Sequence, residues 1–306
     1  MLRVLLLVAL AQFSACTFDP ELNRMHLLLP KDQFIEYFNS QNYSWKITDH
    51  PYLEGRNLTG TEITKGPIPG VKQLYYDPEQ FKDLPENFDA RKKWPNCETI
   101  KEVYDQGDCG SCWAFGTATV ASDRTCIHKD LHVRLSVQDF NCFLGGICNG
   151  GIPLGAYLFW IIYGLVTEEC KPYNITESKQ GICVKECKDP SINYLNDKHK
   201  GKDVFLIDDN DDKIKAELVN NGPIQAGFTV YSDIKDYSSG VYEHKYGEKK
   251  GGHSVRVIGY GVENGIDYWL VANSWGTQWG EQGTIKIKRH QPELCFKCAL
   301  LTGVPA

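Results

Sequence analysis

The stretch QGDCGSCWAF, residues 106–115, sets two cysteines three positions apart, Cys109 and Cys112, ahead of a run of small and aromatic residues. That run continues as WAFGTATVASDR, where Ala114, Ala118, Ala121 and Ser122 recur at helical spacing. A helix is therefore expected from about Ser111 to Cys126, small enough on several sides for close packing. A cysteine in the first turn of such a helix receives the positive end of the backbone dipole, which favours thiolate over thiol. Cys112 holds that place, whereas Cys109 lies in the loop before it and is better suited to a disulfide. With Cys295 and Cys298 making a second C-x-x-C pair, zinc binding is a competing reading of the same residues. Thiol–disulfide exchange is another, although it requires the motif inside a βαβ unit and the residues before Gln106 read as loop.

The 306 residues are 42% hydrophobic and 12% aromatic, enough for one substantial core or two modest ones. A net charge of -6, with both signs scattered along the chain, provides no basic surface for nucleic acid or anionic lipid. The first residues, MLRVLLLVALAQFSAC, carry Arg3, a short apolar run and small residues up to Cys16, the pattern of a secretory signal peptide over residues 1–16. No later stretch approaches the roughly 20 apolar residues of a membrane span. In an oxidising compartment neighbouring thiols pair. Of twelve cysteines Cys16 leaves with the signal, and the odd remainder leaves one thiol unpaired. If that thiol is Cys112, ten cysteines remain for five disulfides.

Residues 17–83 contain no cysteine, and the others all follow Leu84. The first segment opens with an amphipathic KDQFIEYFNSQ and passes into the turn-rich GRNLTGTEITKGPIPG, so it reads as an accessory piece, helical and then extended. Beyond LPENFDAR, further helices are expected near Pro153 to Tyr163 and Asp211 to Asn220, and strands in PIQAGFTVY, SVRVIGYG, YWLVANSW and TIKIKR. Helices first and strands later imply an α+β architecture of two packed lobes. Three sequons, at Asn42, Asn57 and Asn174, fit surface loops of a secreted chain.

A thiolate nucleophile needs a base, and among eight histidines only His253 has distinctive surroundings: two glycines before it and a buried-looking strand after it. With a three-residue loop near Asn264 the following strand places Asn273 opposite His253; a two-residue Asn264–Gly265 turn shifts the register by about three positions. On the first arrangement Asn273 holds the imidazole ring, and Gln106 offers an amide donor to a developing oxyanion.

DQGDCGSCWAFG, the CNGG at Cys148 to Gly151, GGHSVRVIGYG and YWLVANSWGTQWGEQG, in that order, resemble the papain family of cysteine proteases, in its cathepsin B-like branch. The resemblance implies a two-lobed α+β fold, one lobe helical and the other β-barrel-like, with the active site in the cleft between them. It implies an inhibitory propeptide over residues 17–83 and a peptidase domain over residues 84–306. Cys112, His253, Asn273 and Gln106 take catalytic roles; Gly150 and Gly151 match the edge that pairs with the substrate main chain, Trp275 the aromatic wall on the leaving-group side. Implied disulfides are Cys97 with Cys126, Cys109 with Cys148 and Cys170 with Cys187, leaving Cys142 for Cys183, while Cys295 and Cys298 are expected to pair locally. The family's cathepsin B branch carries an occluding loop with two histidines that bind a substrate's C-terminal carboxylate. Here the corresponding residues 169–190 are short and contain no histidine, which predicts an endopeptidase. Ala299 stands where that branch has an acidic residue, which predicts an apolar preference two residues before the cut. No cofactor or metal is expected. The expected partners are peptide substrates and the chain's own propeptide, in a monomer destined for an acidic lysosome-like vesicle or the exterior.

Overall fold

The protein is described here from a computed structural model over residues 18–63, 66, 68–143, 145–296 and 298–306. The signal-peptide reading, residues 1–16, lies outside the described residues. The N-terminal segment forms α1 (Pro20–Leu28) and α2 (Lys31–Ser40), then the short strands β1 (Trp45–Ile47) and β2 (Lys72–Gln73). Asp19 caps α1 by accepting from two backbone N–H groups, with proline at the first helical position. Beyond Leu84 come β3 (Phe88–Asp89), α3 (Ala90–Lys93), α4 (Cys112–Lys129), α5 (Pro153–Tyr163) and α6 (Ile175–Gln180). The remainder alternates as β4 (Gly201–Leu206), α7 (Asp211–Asn221), β5 (Ile224–Tyr231), β6 (Tyr237–Tyr242), β7 (Lys249–Glu263), β8 (Ile266–Ala272), β9 (Thr284–Lys288) and β10 (Ala299–Pro305). The strands join in one sheet ordered β1-β6-β9-β8-β7-β5-β10-β4-β2, with β3 alongside β7.

Two apolar cores flank α4. One gathers Trp113, Phe115, Phe140, Tyr157 and Trp160 on the helical side, and the other Phe228, Tyr237, Val271, Trp275 and Trp279 on the β side. Every residue of α4 from Cys112 to Cys126 is buried. Its polar residues tolerate this because Thr119 and Ser122 return their hydroxyls to carbonyls one turn back, at 2.8 and 2.7 Å.

The hairpin between β7 and β8 corrects the expected register. Glu263 pairs with Ile266 across a two-residue turn in which Asn264 and Gly265 have φ of 51° and 78°. Asn-Gly accepts positive φ at both positions, so this turn prevails over a three-residue loop. A bulge between Val257 and Gly259 then returns one residue of the shift. Arg256 faces Ala272, and Asn273 lies just past the end of β8, reaching His253 through its side chain.

The N-terminal segment is built into the fold. Antiparallel β1 extends the sheet at β6, and Phe34, Phe38 and Trp45, each at most 2% exposed, pack with Tyr237, Tyr242 and Tyr246. Burial of each such side chain is worth about 1.5–3 kcal/mol. Five disulfides join Cys97 to Cys126, Cys109 to Cys148, Cys142 to Cys183, Cys170 to Cys187 and Cys295 to Cys298. Cys112 is free among the described residues. Asn42, Asn57 and Asn174 are exposed, and Asn174 also caps α6.

Candidate active site

Cys112 opens the 18-residue α4, and the backbones of Trp113 and of Ser254, on β7, are among the polar groups that favour its thiolate. Ser254 immediately follows His253 on β7, and the helix that carries the thiol packs against the strand that carries the imidazole. His253 Nε2 lies 2.7 Å from Asn273 Oδ1, which also accepts the Ser274 N–H at 2.8 Å. A carboxamide oxygen only accepts, so Nε2 carries the hydrogen and the neutral ring keeps its Nδ1 lone pair. Nδ1 is buried and has no hydrogen-bond partner among the described residues. Trp275 covers one side of the ring at 4.9 Å between centroids, and Phe228 meets it edge-on at 5.9 Å.

Gln106 is fully buried, against the expectation for an isolated glutamine in a loop. Its Nε2 donates to the Cys109 carbonyl at 2.8 Å, its Oε1 accepts from Ser274 Oγ at 2.6 Å, and its backbone N–H meets Ser274 O. Ser274 thus links the Asn273 and Gln106 amides, a contact between residues distant in the chain that no local pattern signals. Ala299 begins β10 opposite Gly227, whose other neighbour across the sheet is Ser254, so its backbone lies two strands from the site.

The N-terminal segment runs through the groove beside these residues. Tyr52 Oη donates to Trp275 O at 2.9 Å, Arg56 pairs with Asp105 at 3.0 Å, and the Asn57 N–H meets Asp108 Oδ1 at 2.8 Å. Gly60 then donates to Gly252 O at 3.0 Å and accepts from the Gly151 N–H at 2.8 Å. Thr61 bridges Gly151 in parallel and Gly252 antiparallel, beside a cavity of about 420 Å³ lined by Thr59 to Glu62 and by Gly150 and Gly151. Cys112 and His253 are both fully buried. Burial pushes the thiol up to about 12 and the imidazole down to about 4, so in this closed form both groups are held neutral.

These features fall within known relationships. The model of the papain family of cysteine proteases matches residues 84–301, and the chain belongs to that family. Cathepsin B-like cysteine proteinase 4 of Caenorhabditis elegans is 35% identical over 343 aligned residues, covering 99% of each chain. Cathepsin B-like cysteine proteinase 5 of the same organism is 36% identical and covers 89% of each. Among solved structures, proCathepsin B S9 from Trypanosoma congolense superposes with a TM-score of 0.81 at 35% identity, covering 91% of this chain and 98% of its own. Digestive procathepsin L 3 of Tenebrio molitor larval midgut shares the fold, with a TM-score of 0.68 at 21% identity. The protein is a cathepsin B-like cysteine protease, a hydrolase of peptide bonds, in an α+β fold. No helix among the described residues is long and apolar enough to cross a membrane.

Proposed function

We propose that the chain is the secreted, latent precursor of a monomeric cysteine endopeptidase, whose residues 17–83 are an inhibitory propeptide and whose residues 84–306 form the peptidase. The observation that carries this is the unpaired Cys112 at the head of α4, beside a histidine whose Nε2 is fixed by Asn273. With the cleft open, Nδ1 of His253 takes the thiol proton. The thiolate then attacks the scissile carbonyl, and the imidazolium protonates the departing amine. Gln106 Nε2 and the Cys112 N–H stabilise the oxyanion, and water releases the acyl group from sulfur. Removing that side-chain donor in Gln106→Ala should lower kcat by about 100- to 1000-fold, with KM little changed, in steady-state assays of the processed enzyme.

Gly150 and Gly151 form the edge for the substrate's acyl side and Trp275 the leaving-group side. The N-terminal segment passes from Trp275 to Gly151, opposite to the direction a substrate must take, so its peptide bonds present the wrong polarity to Cys112. Residues 169–190 are closed on themselves by Cys170–Cys187 and tied to Cys142 by Cys183, and Tyr173 Oη donates to Gln106 O at 2.8 Å. This segment carries no histidine to bind a C-terminal carboxylate, which favours internal cleavage. An alanine at 299, where the cathepsin B branch carries an acidic residue, argues for an uncharged pocket two residues before the cut, suited to leucine, valine or phenylalanine. An acidic vesicle or the exterior suits a disulfide-rich chain of this kind.

A fluorogenic panel tests this reading. The processed enzyme should cut after dipeptides with Leu, Val or Phe in the first position at least about tenfold faster than those with Arg, and should cut blocked peptides internally. Faster removal of dipeptides from free C-termini would refute the endopeptidase assignment.

A further inference from the structure

One buried side chain grips the residues that directly follow Cys112 and His253. Gln225, on β5 and 1% exposed, donates from Nε2 to the Trp113 carbonyl at 3.1 Å and to Ser254 Oγ at 2.7 Å. Its Oε1 accepts from Thr117 Oγ1 at 2.9 Å, and the same hydroxyl lies 3.0 Å from Trp113 O. Thr117 and Ser254 are themselves at most 1% exposed. Both hydrogens of the amide and its oxygen are therefore engaged, which favours one arrangement of the group.

The space is reserved for it. At Gly116 a Cβ would stand 2.6 Å from Gln225 Nε2 and 3.0 Å from Ser254 Oγ. Gln225 sits opposite Arg256 of β7, yet the guanidinium is engaged by Asp123 at 2.8 Å and by the carbonyls of Thr99, Ile100 and Glu102. The amide is thus no counter-charge. Its contacts instead tie the first turns of α4, which carries Cys112, to the strand that carries His253. The Ser254 backbone is also among the polar groups that favour the Cys112 thiolate. Fixing Ser254 fixes both the ring before it and one of those groups.

We infer that Gln225 is a positioning residue, setting the spacing of sulfur and imidazole through Trp113 and Ser254. The inference rests on the roles given above to Cys112 and His253. A pair held this way tolerates little slack, because a displacement of about 1 Å at reacting atoms can cost about a hundredfold in rate.

The test uses the full chain carrying Gln225→Leu, close in volume and unable to donate, processed by immobilised parent enzyme that is then removed. The expected result is a kcat lower by about tenfold with KM within about twofold, since the loss falls on the reacting pair rather than on substrate binding. The acid limb of Cys112 alkylation by iodoacetamide should move up by roughly one pH unit, because a loosened thiolate is less stabilised. Ser254→Ala and Thr117→Val each remove one partner of the amide and should move the limb the same way by less. Thermal unfolding reports stability separately. A Gln225→Leu enzyme that melts earlier but keeps its kcat and its acid limb would show a purely structural role and overturn the inference. Should that variant fail to fold, unmoved limbs in both milder variants would overturn it equally. Activity surviving Cys112→Ala would instead sink the reading of the site itself, so the two failures are distinguishable.

Discussion

Cys112→Ala is expected to lower kcat by at least about a thousandfold, with the processed protein still folded. The substitution removes only a sulfur atom from a site that is fully buried between helix and sheet, and the five disulfides do not involve it. His253→Ala should cost as much activity and more stability, because its ring fills the space between Trp275 and Phe228. The double variant should be no worse than either single one, since thiol and base act as a unit. Rates on a fluorogenic peptide, with active-site labelling to count competent molecules, check all three. Additive losses would mean that His253 acts elsewhere than on the Cys112 proton.

A substitution in the N-terminal segment should have an effect of comparable size in the opposite direction. Gly60→Val is expected to make the unprocessed chain active, raising Cys112 alkylation at neutral pH by about a hundredfold or more. A Cβ at Gly60 would stand 2.1 Å from the Gly110 carbonyl oxygen, a contact with backbone. Gly110 has little room to yield, because Cys109 is bonded to Cys148 and the Gly110 N–H meets Cys148 O at 3.0 Å. The segment must lift, and the burial that silences the pair goes with it. Closed, a thiol near 12 and an imidazole near 4 leave almost no thiolate at neutral pH, and alkylation of the parent chain should keep rising into alkali. Opened, water and the developing ion pair lower the thiol, and the plateau should extend into acid. A Gly60→Val chain that stays latent would show that the seat of residue 60 is not what holds the site shut.

How far the sequence led depends on how local each signal was. Cys112 at the head of α4 was legible because dipole, small residues and cysteine parity all occur within one stretch or one count. The order of helices and strands followed from short runs of distinct periodicity. Asn273 was assigned to His253 by a register that the two-residue turn and the bulge of β7 do not produce; the partnership arises because the side chain reaches past the end of β8. The bulge comes from packing within the sheet, which periodicity does not encode. Gln225, Ser274 and the pairing of β1 with β6 were illegible for a related reason. Each depends on contacts across more than a hundred residues, and a buried glutamine reads like any other until its neighbours are known.

The union of β1 with β6 also shapes what is left after cleavage. If residues 17–83 leave as proposed, β6 loses its outer neighbour, and the tyrosines at 237, 242 and 246 lose the rings that shield them. An enzyme matured in that way would gain a raw margin: unpaired main-chain groups beside an oily hollow, shaped to readmit the discarded piece and open to any stray extended chain of similar character.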